Sequence, residues 1–281
     1  MRRQAKGEAV KRELLPGESP ELLKELHLLT RDGDLNADSL RKLKQVNHLV
    51  RLVQPAVEDV LARFGEPVIA DCGAGKSYLG FVLYELFLRG AGKGTLVAVE
   101  SRPELVAWAR AAAERLGLER MRFVEAPIDA APVPERVHLV TALHACDTAT
   151  DDALLLALRH NADHVAVVPC CQAEVSRQLE RVAAPASTPA MATLFEHPWH
   201  RREFGSHLTN VIRALVLESH GYRVTVTELT GWEHSVKNEL ILAKRVRASS
   251  REARERLDAL LAATQVRPKL VRALDGADAI A

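Results

Sequence analysis

Apolar and polar positions along this chain fall into two periods. Short apolar runs at 67–71, 95–100, 121–125, 137–143 and 164–168 predict strands. Amphipathic stretches at 76–89, 102–117, 149–160 and 204–220 predict helices between and after them. Val68-Ile69-Ala70, His138-Leu139-Val140 and Val165-Ala166-Val167-Val168 have the pattern of strands covered on both faces. Strands alternating with helices predict a parallel sheet with crossover helices. After 220 the order changes. Runs at 222–228 and 238–244, joined by a polar loop, predict a closing antiparallel hairpin.

Both ends of the chain read as helical. Pro20–Leu29 predicts a short helix with Ser19 as N-cap and Pro20 at the first helical position. Asn36–Phe64 predicts a longer helix or helix pair, capped by Asn36 or Asp38, with Pro55 kinking or dividing it. The first dozen residues read as a frayed tail, and 248–263 as an exposed helix. The expectation is an α/β fold with a mostly parallel seven-stranded sheet. Its parts are a helical N-terminal cap (1–65), a sheet domain (66–246) and a C-terminal helical extension (247–281).

Composition narrows this little. The chain has 281 residues, 47% hydrophobic and 27% charged, enough for a large core. No apolar run approaches the roughly 20 residues of a membrane span. The start, Met1-Arg2-Arg3-Gln4-Ala5-Lys6, has no apolar core behind it, so export is not expected. Four cysteines make no disulfide scaffold, and a cytoplasmic protein follows. A net charge of +1 favours no partner. Basic residues do cluster at Arg41, Lys42 and Lys44, at His197–Arg213, and at Lys244–Arg256. Each cluster alone reads as a solvated face; together they favour an anionic substrate.

The most informative segment is Val68–Phe81. An apolar strand runs into Asp71-Cys72-Gly73-Ala74-Gly75, and a helix opens directly after it. Glycines let the backbone turn tightly and a ligand approach, and the helix N-terminus offers free N–H groups. The next strand ends in Glu100, placed to bond both hydroxyls of a ribose. A phosphate-binding loop would need glycine at Ala70, and a dinucleotide fingerprint would need it at Tyr78. The Asp-x-Gly-x-Gly pattern at Asp71, Gly73 and Gly75 resembles motif I of class I S-adenosylmethionine methyltransferases. A carboxylate suits a sulfonium and an ammonium and would repel a pyrophosphate. This resemblance implies a Rossmann-like methyltransferase fold. It implies S-adenosylmethionine held by Asp71, Gly73, Gly75, Tyr78, Glu100, Ser101, Ile128 and His144, with the Ala126-Pro127-Ile128 turn near adenine.

Ligands of open α/β sheets bind at the carboxyl ends of the strands. Two further segments there are unusual: Leu143-His144-Ala145-Cys146-Asp147-Thr148-Ala149-Thr150-Asp151 and Pro169-Cys170-Cys171-Gln172. With Cys72, they bring all four cysteines to one sheet edge. The cysteines can be small buried hydrophobes, an unreactive pocket lining, nucleophiles or metal ligands. RNA cytosine-5 methyltransferases carry Asp-x-Pro-Cys after the fourth strand, and here the aspartate is missing. Cys170-Cys171 also lacks the spacing of a metal site, and no metal is expected. His144 can act as a base or hydrogen-bond within its loop. Asp147 and Thr148 are expected to cap the following helix, and Thr150-Asp151 to extend that loop's hydrogen bonds.

These two motifs resemble the methyltransferase domain of glutathione S-transferase C-terminal domain-containing proteins and their bacterial relatives. A looser form occurs in eukaryotic tRNA 2′-O-methyltransferases of the coiled-coil-domain-containing type. Lys237-Asn238-Glu239-Leu240-Ile241 also fits, and the likeness covers roughly 40–245. It implies methyl transfer to an oxygen or nitrogen, with His144, Cys146, Cys170 and Asn210 on the acceptor side. RNA, either tRNA or rRNA, is the implied partner. The alternatives are a protein or small-molecule acceptor, or a non-catalytic binding module. Arg41, Lys44 or Gln45, and His48 share one helix face, as do His207, Asn210 and Arg213, and either face can be solvated or meet substrate.

Overall fold

The apolar runs and the late hairpin form one seven-stranded sheet in the computed structural model, which describes residues 12–15, 17–29, 34, 36–143, 145–169, 172–182, 195–229 and 239–278. The tail expected at 1–12 lies almost wholly outside these residues, as do His144, Cys170, Cys171, Lys237 and Asn238. The strands are β1 (Val68–Cys72), β2 (Thr95–Glu100), β3 (Met121–Glu125), β4 (Leu139–Ala142), β5 (His164–Val167), β6 (Tyr222–Glu228) and β7 (Glu239–Arg245). Their order across the sheet is β3-β2-β1-β4-β5-β7-β6. The first five pair in parallel, while β7 is antiparallel to both β5 and β6. Strand order reverses between β1 and β4, so the ligand crevice belongs there.

Side chains alternate across the sheet and build a core on each face. On β1, Ile69 joins one apolar cluster, while Ala70 and Cys72 join the other. Two N-terminal helices, α1 (Pro20–Glu25) and α2 (Ala37–Arg63), pack on the Ile69 face. So do α3 (Tyr78–Leu83), which continues through a π-helical turn at Tyr84–Leu88 to Arg89–Ala91, and α4 (Pro103–Arg115). The opposite face carries α5 (Thr148–Arg159), α6 (Glu174–Val182), α7 (Pro198–Ser219), α8 (Arg251–Thr264) and α9 (Lys269–Asp278).

Several boundaries differ from those expected. Helix α1 stops at Glu25, followed by His27 in the left-handed region at φ 55°. Ser19 does not cap it; its hydroxyl donates to Glu85 instead. Asn36 does cap α2, accepting from Ser39 N–H at 2.8 Å. Pro55 does not divide α2, because it sits on the exposed side while Leu49, Val50, Val53 and Val57 bury the inner stripe. Helix α7 begins at Pro198, six residues before the expected start. Helix α6 was not expected, and the helical extension expected over 247–281 is two helices, α8 and α9. Helix α8 is not wholly exposed, since Ala253 and Leu257 are buried against the core.

Candidate cofactor and acceptor site

The turn after β1 lies at the switch point. Gly73 and Gly75 take φ of 64° and 58°, and Ser77 follows at φ 58°. A Cβ on Gly73 would come within 3.4 Å of Ala145, so the turn packs directly on the loop after β4. Gly80 is equally constrained, because any Cβ there would collide with the Ser77 hydroxyl. That hydroxyl is buried and has no hydrogen-bond partner among the described residues. Asp71 is buried beneath the turn, accepting from Thr141 Oγ1 at 2.9 Å and from the Gly80 N–H. Burial pushes its carboxyl up to about 7 despite those two bonds. A cation beside it would restore the ionised form.

Glu100 is tied to the same turn. Its Oε2 accepts from Gly75 N–H at 2.8 Å. Arg102, which sequence reasoning missed, holds both carboxylate oxygens: Nε donates to Oε1 at 2.9 Å and Nη2 to Oε2 at 3.2 Å. The Arg102 backbone N–H adds a bond to Oε1 at 3.1 Å. Burial alone would raise the Glu100 carboxyl, but these donors outweigh it and hold the group below the usual range. Ser101 is exposed, with its hydroxyl 3.5 Å from Glu100 Oε1. Ile128 opens a 3-10 turn and is half-buried against the Ala70 face. Tyr78 stands edge-on to Trp108 at 5.8 Å, and Lys76 lies 4.7 Å over that ring. Lys76 therefore does not reach over the turn as a phosphate-binding lysine would. A cavity of about 300 Å³ is lined by Asp71, Gly73, Gly75, Tyr78, Arg102 and Leu143, among others.

The loops after β4 and β5 are braced from beneath. Asp147 does not cap α5, contrary to expectation. Its carboxylate instead accepts from the N–H groups of Ala173 and Glu174, at 3.0 and 3.3 Å, where α6 opens. Thr150 Oγ1 donates to Ala145 O, as the loop reading expected. Asn210 and Arg213 do not join His207 on a solvated face; both are buried while His207 is exposed. Arg213, 1% exposed, donates to Asp151 Oδ1 at 2.7 Å, to Asp147 O at 2.8 Å and to Asn210 Oδ1 at 3.2 Å. Gln172 Nε2 donates to the same Asn210 oxygen at 3.3 Å, and Ser206 donates to Gln172 Oε1 at 2.6 Å. Asn210 thus lies behind the site as a link between its two loops.

Of the cysteines described, Cys72 is buried in the core and Cys146 is exposed. Burial pushes the Cys72 thiol up, which makes it a packing residue. Among the described residues, no cluster of His, Cys, Asp and Glu is arranged to hold a metal, and no helix is long and apolar enough to cross a membrane.

The third basic stretch does not face the site. Lys244 pairs in register with His164, the first residue of β5, which puts it at the amino edge of the sheet. Its ammonium meets Asp59 at 3.1 Å. Arg251, Arg254 and Arg256 pair with Glu255, Asp258 and Glu218. In the second stretch, Arg201 pairs with Glu180 at 3.0 Å.

Residues 41–178 match the family described as "Methyltransferase domain". No curated protein matches the chain. Similar solved structures include an S-adenosylhomocysteine-bound methyltransferase of Podospora anserina, 14% identical over 81% of this chain and 88% of that one, with a TM-score of 0.48. Another is an rRNA methylase of Streptococcus thermophilus, 11% identical over 70% of this chain and 96% of that one, at 0.44. A third is a SAM dependent methyltransferase of Aquifex aeolicus, 17% identical over 72% and 98%, at 0.41. The sheet order and the glycine turn at its switch point are those of a Rossmann-like methyltransferase fold, and the family match over residues 41–178 supports an enzyme that uses S-adenosylmethionine. The turn fits that cofactor: two left-handed glycines and a buried carboxylate suited to a cation line one cavity.

Proposed function

We propose that Asp71, Gly73, Gly75, Tyr78, Glu100, Ser101 and Ile128, with His144, hold S-adenosylmethionine for transfer to an oxygen or nitrogen of the acceptor. The observation that carries this is the hydrogen bond from Gly75 N–H to Glu100, which locks the expected ribose carboxylate onto the glycine turn. When bound, the cofactor supplies an electrophilic methyl on a sulfonium sulfur. Asp71 offsets positive charge beneath it. Asp147, Asn210 and Arg213 hold the two acceptor-side loops in register, and His144, Cys146 and Cys170 belong to those loops. Positioning supplies much of the rate in such a displacement.

Arg102 now occupies the oxygens that ribose hydroxyls would need, so it must release Glu100 when cofactor binds. Calorimetry tests this. S-adenosylmethionine and S-adenosylhomocysteine should bind at about −8 kcal/mol, near micromolar. Glu100→Ala should weaken both by about 1.5–3 kcal/mol, while Arg102→Ala should tighten both. Tight binding of NAD or ATP, and none of these two, would sink the assignment.

A second reading keeps RNA as the acceptor, as the narrower family resemblance implies. It is favoured by Trp199, 52% exposed with the Arg202 guanidinium 4.3 Å over its ring. Exposed aromatic and arginine pairs are a stacking platform for unpaired bases.

A further inference from the structure

The cofactor cavity has a neighbour. A second cavity of about 340 Å³ shares Tyr78, Leu79 and Leu143 with it as common walls. Its other walls come mainly from the N-terminal helices: Leu26 and Leu28 beyond α1, and Lys42, Gln45, Val46 and Leu49 of α2. Spacings of three, four and seven put those four α2 residues on one helix face. Leu26, Leu28, Leu49, Leu79 and Val82 are each at most 7% exposed, yet all border the hollow. Apolar side chains thus border an open hollow of ligand size.

We propose that this cavity is the acceptor site, and that the acceptor is a small molecule with an apolar body and an anionic group. The proposal rests on the cofactor reading above. A molecule seated here abuts the cofactor cavity across the Tyr78–Leu143 wall, where its oxygen or nitrogen can reach the methyl group. That atom's lone pair forms the new bond to the methyl carbon, the carbon–sulfur electron pair stays on sulfur, and the acceptor's proton passes to water. The leucine and valine walls favour an aliphatic or aromatic body and disfavour a phosphate backbone, which would lose its hydration there. The size is within the range of small-ligand pockets. The charge comes from the rim. Lys42 lines the cavity and its ammonium lies 2.7 Å from Asp38, a cation that an anionic group on the ligand can share beside an apolar interior.

Anilinonaphthalene sulfonate, an aromatic anion whose fluorescence rises in apolar surroundings, is a direct probe. It should bind the full chain saturated with S-adenosylhomocysteine. Val46→Trp should fill the cavity and weaken the probe about tenfold or more. Gln45→Trp, on the same face, should do so if Val46→Trp folds poorly. Lys42→Ala should weaken it about three- to fivefold by removing rim charge. S-adenosylhomocysteine affinity should stay within about twofold in all three. With labelled S-adenosylmethionine and cell extract, label should enter the solvent-extractable fraction and not RNA. Probe binding that ignores all three substitutions, or label recovered in RNA, would overturn the acceptor class. Equal loss of probe and S-adenosylhomocysteine would return the cavity to the cofactor site. Failure of the wild-type chain to bind S-adenosylhomocysteine would instead remove the cofactor reading.

Discussion

Asp71 is held in a state its ligand should change. Its carboxyl sits at about 7 because burial outweighs the Thr141 and Gly80 bonds. The folded chain therefore holds this proton more tightly than the unfolded chain does. Without ligand, protonated Asp71 favours the fold below about 3.9, and that contribution is lost as pH rises toward 7. Binding of a cationic ligand runs the other way. The sulfonium and ammonium need the ionised carboxylate, so below 7 a proton must leave before they bind. S-adenosylmethionine should bind about tenfold tighter at pH 8 than at pH 6. Asp71→Asn keeps the hydrogen bonds but should flatten this profile and weaken binding at pH 8. Calorimetry at several pH values checks it; an identical slope in Asp71→Asn would assign the titration to another group.

At the scale of elements, helix α7 does more than cover the sheet. Asn210 and Arg213 reach from it to the segments after β4 and β5, and Asp147 ties the loop after β4 to the start of α6. Arg213→Ala leaves Asp151, itself 1% exposed, as a buried unpaired carboxylate. Such a loss costs about 3–5 kcal/mol. Urea denaturation should show it, and in the surviving folded fraction kcat should fall while cofactor affinity holds. Stability unchanged by Arg213→Ala would mean that the pair does not form.

This brace also marks where sequence reading stops. The strands were legible because burial on both faces leaves continuous apolar runs such as Val165-Ala166-Val167-Val168. The glycine turn was legible because its geometry is local. Arg213 and Asp151 lie 62 residues apart, and each looks like an ordinary surface charge until the fold joins them. The early start of α7 was hidden because Pro198-Trp199-His200-Arg201-Arg202-Glu203 has no apolar stripe and its cap is the His197 imidazole, an unusual N-cap. Helix α6 offers only Val175 and Leu179 as buried markers at helical spacing. Arg102, two residues beyond Glu100, carries no pattern that separates it from a solvated arginine.

Across the whole molecule, charge separates the two acceptor readings. The Lys244–Arg256 stretch sits at the amino edge beyond β7, and its Lys244, Arg251, Arg254 and Arg256 meet carboxylates. Arg213 is buried, and Arg201 is paired with Glu180. Helix α7 runs toward β6, whose first residue, Tyr222, pairs with Arg245 at the amino edge. The helix N-terminus, with Trp199 and Arg202, therefore points to the carboxyl edge where the cofactor turn lies. Of the arginines first expected to meet phosphate there, Arg202 is the one left in place, and even it lies 3.3 Å from Glu203. Each phosphate neutralised adds about 0.7–0.9 to the slope of log affinity against log salt. A small-molecule enzyme with this surface should retain structured RNA weakly, with a slope of about one or less. Lys244→Ala and Arg256→Ala should leave that slope unchanged. Filter binding across a salt series decides the matter. A slope of several units that falls by about one in Arg202→Ala, with base stacking lost in Trp199→Ala, would make RNA the acceptor. Cofactor affinity should stay constant throughout, because neither side chain lines the Asp71–Gly75 cavity.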